Sequence, residues 1–269
     1  MKNAILAAAF AGISCSLLGV FVVTMKISFI GVCMSHAAFA GAILGVLLSV
    51  NPILMAFLFC AISAAIIGPL SDRGELFPDA SLGIIFSLML GLAFLFMGLL
   101  SGPKTQALGL IWGSILTVTK NNVWLLFGLT MLVILAIVSF YKEIQAVIFD
   151  RELALAAGVS ATAIIYGLYF LTGATITASF SIVGGLLIFS LIINPAAAAY
   201  QLTYSLKKMF LLSALFGVFS GWAGLAISYL FNLPSGASII IISSLIFAAA
   251  AIYSPKRRKS CCCNKTGEE

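Results

Sequence analysis

Charge is what this sequence has least of. Only 8% of its 269 residues are Asp, Glu, Lys or Arg, where soluble domains carry roughly 25%. So few charges cannot cover a water-facing surface, which excludes an ordinary soluble domain. There are eight acidic residues, and none sits in the middle of an apolar run. That argues against an ion-coupled secondary transporter, which usually carries several ionisable residues within its spans. Histidine occurs once. One imidazole and scattered thiols are too few for a catalytic metal centre, which commonly takes three protein ligands, so an intramembrane enzyme is disfavoured. No G-x-x-x-x-G-K-[ST] loop occurs; the nearest fragment, SGPKT at Ser101, lacks the first glycine at the right distance. Any ATP must therefore be handled by a partner. The six cysteines form no disulfide framework, because Cys15, Cys33 and Cys60 lie in apolar runs and Cys261, Cys262 and Cys263 are adjacent.

What the chain does have is apolar length. It is 62% hydrophobic, with a mean hydropathy of +1.21. A spanning helix needs about 20 largely apolar residues. Nine candidates follow, near 4–25, 29–49, 51–70, 81–100, 122–141, 161–179, 182–203, 209–231 and 236–253. Eight result if two neighbours form one bent element. Such segments are helical because lipid offers open backbone groups no partner. The first run follows one weak positive charge and is succeeded by similar runs, so it reads as a span and not a signal peptide. The expected fold is thus an all-α polytopic bundle filling residues 1–255, followed by a basic, cysteine-bearing tail at 256–269 that is expected to be disordered. The tail has a second reading as a lipid- or metal-binding element.

Lys and Arg set the orientation. A cytoplasmic KRRK, Lys256 to Lys259, places the N-terminus outside after nine crossings. Lys26, Arg73, Lys142, Arg151, Lys207, Lys208, the KRRK cluster and Lys265 then lie inside, and only Lys2, Lys104 and Lys120 outside. The net charge of +6 is therefore a topology signal; the basic residues sit at span ends and not on one face, so no nucleic-acid partner is expected. The inner stretch Pro69 to Ala80 reads as a solvated turn. Ala107 to Val118 reads as a short interfacial or re-entrant helix with Trp112 at headgroup depth. The inner loop at about 142–160 contains a short amphipathic helix, Asp150 to Ala157, which Asp150 can cap and Gly158 can end.

Seven pieces in order resemble the permease subunit of metal-uptake ABC transporters, over nearly all of residues 4–254. They are GVFVV from Gly19, SHAAFAG from Ser35 (similar to the family's SHAxxPG), DASLGIIFS from Asp79, LGLIWGSIL from Leu108, FDRELALAAGV from Phe149 (similar to FDxxxAxxxG), GGLLIFSLIINPAAAA from Gly184 and LPSGASIII from Leu233. The resemblance implies a multi-pass protein of a prokaryotic cell membrane that carries zinc, manganese or iron as cargo and binds no permanent cofactor. It implies a homodimer of permease chains, two cytoplasmic ATPase subunits, an extracytoplasmic solute-binding protein and surrounding membrane lipid. Phe149, Asp150, Arg151, Glu152, Ala154 and Gly158 would form the element that docks on the ATPase. A charge run is otherwise usually a solvated face.

The lone His36 sits in FIGVCMSHAAFAGAILGVLL. Cys33 is three residues earlier, which at helical spacing gives the pair a shared side. Imidazole and thiolate suit zinc above other divalent ions. From the residues alone, two readings of His36 stand open: a metal contact, or a ring bonded to a neighbouring helix. The resemblance, in which this histidine lies on the metal pathway beside Ser35, favours the first. Many family members carry Asp four residues before it, whereas this chain has Val32, and Ala40 replaces the family proline. Cys33 without that carboxylate tilts the expectation to zinc, with manganese or iron as alternatives; its other reading is a small buried hydrophobe. Gly41 and Gly45 would admit a neighbouring backbone. Asn194 and Pro195 are candidates for a helix kink, whose freed carbonyls can bind cations beside a cavity. Thr175, Thr177, Ser179 and Ser181 border an expected outer turn.

Overall fold

The computed structural model describes residues 2–73, 78–100 and 118–254, with backbone alone at 70–73, 78, 181–183 and 186–187. Among the described residues every regular element is helical: α1 (Lys2–Thr24), α2 (Ile30–Leu47), α3 (Pro52–Arg73), α4 (Pro78–Leu99), α5 (Lys120–Ser139), α6 (Tyr141–Phe149), α7 (Arg151–Ala156), α8 (Ala161–Val183), α9 (Gly185–Leu202), α10 (Leu206–Phe231) and α11 (Ser235–Ile252). Eight of these are long and apolar enough to cross a bilayer, and α9 adds a shorter apolar stretch, Ile188–Leu202. Each of the nine expected spans overlaps its own helix, α9 being the one that falls at 182–203, and no two of them merge into one bent element. The interfacial helix expected around Trp112 lies outside the described residues, apart from Val118, and so does the 256–269 tail.

Two boundaries differ from expectation. The chain stays helical through Pro69 to Arg73 and resumes at Pro78, so the expected turn is shorter. α8 also runs four residues past the expected end. Thr175, Thr177 and Ser179 are not at a loop; they are buried inside the helix. A Ser or Thr hydroxyl can bond the carbonyl four residues back and so remain in a helix interior. Thr177 does this, its Oγ1 donating to the Gly173 carbonyl at 2.9 Å. The reversal into α9 occurs at Gly184, whose φ of 92° strains any side-chain-bearing residue.

Helices in lipid gain nothing by hiding apolar surface from one another; small residues that let backbones approach supply the packing. α1 is the inner helix, touching α5, α8, α9 and α10. Its seam with α10 is a ladder of small residues. Gly12 lies against Gly217, Gly221 against Ala8, and Ser213 Oγ donates to the Ser16 carbonyl at 2.8 Å. The reversed order of these pairs makes the two helices antiparallel. Gly19 meets the Ile192 carbonyl of α9, and Gly41 and Gly45 meet Met55 and Pro52 of α3. The outer helices α4, α5 and α11 expose large side chains such as Leu88, Leu95, Leu135 and Leu245, which suits acyl chains.

Gly217→Val puts a branched carbon into the Gly12 carbonyl and the Ser16 hydroxyl. Overpacking of this kind costs about 1–3 kcal/mol. The apparent unfolding midpoint of the purified protein in detergent is expected to fall by several degrees. Gly91→Ala, where nothing lies within 4 Å, is expected to leave it unchanged or slightly raised.

Candidate functional site

His36 lies in the middle of α2 and is half-buried. Its Nδ1 is 3.0 Å from the Val32 carbonyl oxygen. A carbonyl only accepts, so Nδ1 carries the proton and donates; in the neutral ring Nε2 then keeps its lone pair. A hydrogen bond of this kind on the far nitrogen orients metal-binding imidazoles. The ring meets Phe86 of α4 edge-on, with centroids 4.8 Å apart and planes at 82°. It opens on a cleft of about 200 Å³ between α2, α4 and the α8–α9 turn, shared with Ser35, Phe39, Leu90, Phe94 and Phe180. Ser35 Oγ donates to the Gly31 carbonyl at 2.7 Å, which leaves its lone pairs uncommitted.

Cys33 is placed elsewhere. It is fully buried and does not line the His36 cleft. The Cys60 thiol of α3 donates to the Met34 carbonyl at 3.4 Å and stands 3.4 Å from Thr177 Oγ1, whose one proton goes to the Gly173 carbonyl. Nearby, the Cys15 thiol donates to Ser179 Oγ at 3.9 Å. These thiols and hydroxyls form a buried polar layer joining α1, α2, α3 and α8, which the sequence reading missed. Its signal was the run Thr175, Thr177, Ser179, whose alternation resembles a loop edge more than a helix interior. None of the thiols of this layer lines the His36 cleft. Among the described residues no three His, Cys, Asp or Glu side chains gather as a metal site.

Asn194 and Pro195 also lie away from the His36 cleft. Asn194 Nδ2 donates to Ser243 Oγ and Ser244 Oγ of α11, both at 3.0 Å, so its amide ties two helices together. Pro195 is buried within α9, which continues through it.

The loop segment forms as its composition dictates. Asp150 is extended, and its Oδ1 accepts from the amides of Glu152 at 2.8 Å and Leu153 at 3.1 Å, an N-cap. At the other end Gly158 has φ +82°. The amide of Val159 bonds the Ala154 carbonyl and that of Gly158 the Leu155 carbonyl, each at 3.0 Å. This double closure around a left-handed glycine is a Schellman end. Ala154 is buried, whereas Phe149 is 85% and Leu153 60% exposed. Arg151 reaches Thr162 Oγ1 of α8 at 3.5 Å, and Glu152 is exposed. The result is a rigid elbow with a buried anchor and a protruding apolar edge. It stands at the same end of the bundle as Thr24 and Tyr204, with which Phe149 shares a hollow.

Residues 1–254 match the model of a family described as the ABC 3 transport family. The manganese transport system membrane protein MntC of Halalkalibacterium halodurans is 30% identical over 240 residues, 89% of this chain and 82% of that one. The manganese import system permease protein ScaB of Streptococcus gordonii is 32% identical over 240 residues, 89% of this chain and 86% of that one. Among solved structures, PsaBC from Streptococcus pneumoniae in complex with Fab superposes with a TM-score of 0.85 at 30% identity, covering 96% of this chain and 92% of that chain. An all-helical, multi-pass membrane architecture that matches over nearly its whole length makes this chain a member of the ABC 3 transport family, as the membrane permease of a bacterial ABC transporter.

Proposed function

We propose that this permease imports a divalent first-row metal ion, with His36 as a contact on the ion's path and α6–α7 as the element that receives the motion of ATPase subunits. The observation that carries this reading is the lone imidazole in a cleft within the bundle, with Nδ1 held by its own helix and Nε2 uncommitted. Ionisable residues inside membrane bundles mark pathways. The partners in this reading are a second permease chain, two ATPases on the cytoplasmic side, and an extracytoplasmic solute-binding protein that delivers the cargo.

The expectation of zinc rested on His36 and Cys33 acting together. With Cys33 buried outside it, the cleft offers nitrogen and oxygen donors and no thiol, a set that does not favour a thiophilic ion. Relatives named for manganese support the same choice, so manganese stands first, with zinc and iron as the alternatives.

Vesicles holding the assembled transporter test this. ATP-dependent uptake of labelled manganese, zinc and iron ranks the cargo, and His36→Ala is expected to lower uptake of the preferred ion at least about tenfold, the lower range seen when support of a metal ligand is lost. Undiminished uptake in that variant removes His36 from the path. Cys33→Ser is expected to leave manganese uptake unchanged, and a loss confined to zinc restores the thiol-based reading.

The elbow gives a second prediction. Asp150→Ala removes a cap worth about 1 kcal/mol. Amide exchange at Glu152 and Leu153 is then expected to quicken by about fivefold, and ATP hydrolysis by the assembled complex to couple less tightly to uptake. Asp150→Asn, which retains an accepting oxygen, is expected to behave like the parent. Tight coupling in Asp150→Ala despite faster exchange separates the cap from the docking function.

A further inference from the structure

A groove on the outer side of the bundle ends at the first turn of α6, at residues to which the transport reading gives no role of their own. Ile13 and Leu17 of α1, Ile134 and Ile137 of α5, and Leu211 and Ala214 of α10 form its apolar walls, and the whole hollow measures about 770 Å³. At the end where α5 stops and α10 starts, the lining becomes polar: Ser139, Tyr141, Lys142, Glu143 and Lys207. Lys207 Nζ stands 5.6 Å from the Tyr141 ring centroid. Lys142 and Lys207 are exposed, and among the described residues neither is ion-paired. Lys142 lies three residues past the end of α5 and Lys207 is the second residue of α10, which sets both at headgroup depth.

An apolar groove by itself does not retain a lipid, because an acyl chain entering it only exchanges one hydrocarbon surface for another. Selectivity has to come from the polar end. Two lysines against one carboxylate leave that end with one positive charge in excess, and the Ser139 and Tyr141 hydroxyls can donate to a phosphate oxygen. Basic pockets between spanning helices hold anionic headgroups in this manner. A zwitterionic lipid would bring its own cation to the same lysines and gain less. We propose that the groove binds one anionic phospholipid, its phosphate on Lys142 and Lys207 and an acyl chain lying between α5 and α10 against α1. The site is independent of which metal is carried, and even of whether His36 is a ligand.

Native mass spectrometry of the full chain, titrated in detergent with phosphatidylglycerol or phosphatidylcholine of identical acyl chains, tests it. Phosphatidylglycerol is expected to bind in preference, and each lysine neutralised in Lys142→Gln and Lys207→Gln to weaken it by roughly fivefold. The double Lys→Arg variant, which keeps the charge, is expected to retain the preference, so that a loss on neutralisation alone is not a folding defect. Lys208→Gln, an exposed neighbour outside the groove, is expected to bind as the parent does. Equal binding of the two lipids, an unaffected Lys142→Gln/Lys207→Gln variant, or an equal loss in Lys208→Gln each overturns the proposal. So does full displacement of phosphatidylglycerol by glycerol phosphate at equal concentration, since the acyl groove would then contribute nothing.

Discussion

Close approach of backbones at small residues is the constraint on which this structure depends. A lipid solvent already satisfies apolar side chains, so it gives helices no reason to associate; it only punishes an unpaired backbone group. The chain meets the second demand with helices and the first with small residues. The seam of Ala8, Gly12 and Ser16 against Gly221, Gly217 and Ser213 puts α1 and α10 together with only small side chains between them. Gly19 brings α9 in at the Ile192 carbonyl. With α1 fixed on these sides, α2 is carried in through its contacts with α9 and α8.

The same principle decides what His36 can do. Cys33, Ala37, Gly41 and Gly45 are spaced by four and so form one ridge along α2. Gly41 and Gly45 show which way that ridge points, because each meets the backbone of α3. Cys33 belongs to the ridge and is therefore turned to the α3 side. His36 precedes Ala37 by one residue, about 100° around the helix, and this turns it out of the α3 seam to Phe86 of α4. A pair three residues apart shares only the edge of a face. Here the packing of glycines on one side of that edge separates a sealed thiol from an open imidazole.

The spans were legible because apolar length is a direct demand of bilayer thickness, and the elbow because its stop signals, Asp150 and Gly158, act through their own backbone neighbours. What lay beyond the sequence was anything set by the partner of a face. Ser and Thr in α8 looked like a loop edge, since hydroxyls are common there; only their burial against Cys60 and Cys15 explains why they lie inside. Asn194 looked like a pathway candidate beside a proline, and its amide is occupied by Ser243 and Ser244, about fifty positions away. The ladder between α1 and α10 was equally hidden, because small residues are abundant in every span and their pairing across two hundred positions is not marked in either helix.

The absence of a carboxylate also bears on how the ion would be held. The residue four before His36 is Val32, and each of the chain's acidic residues falls outside the middle of a span. A divalent ion beside Phe86 and Phe94 would meet a neutral imidazole and hydroxyl while retaining its full charge in apolar surroundings. That is unfavourable for a resting site. An ion in transit needs less: binding good enough to enter and weak enough to leave. Retained water would complete the shell, so the ion would never be fully stripped. A neutral donor set of this kind gives up some affinity and gains easy release, a balance suited to a conduit whose capture step lies with a separate solute-binding protein.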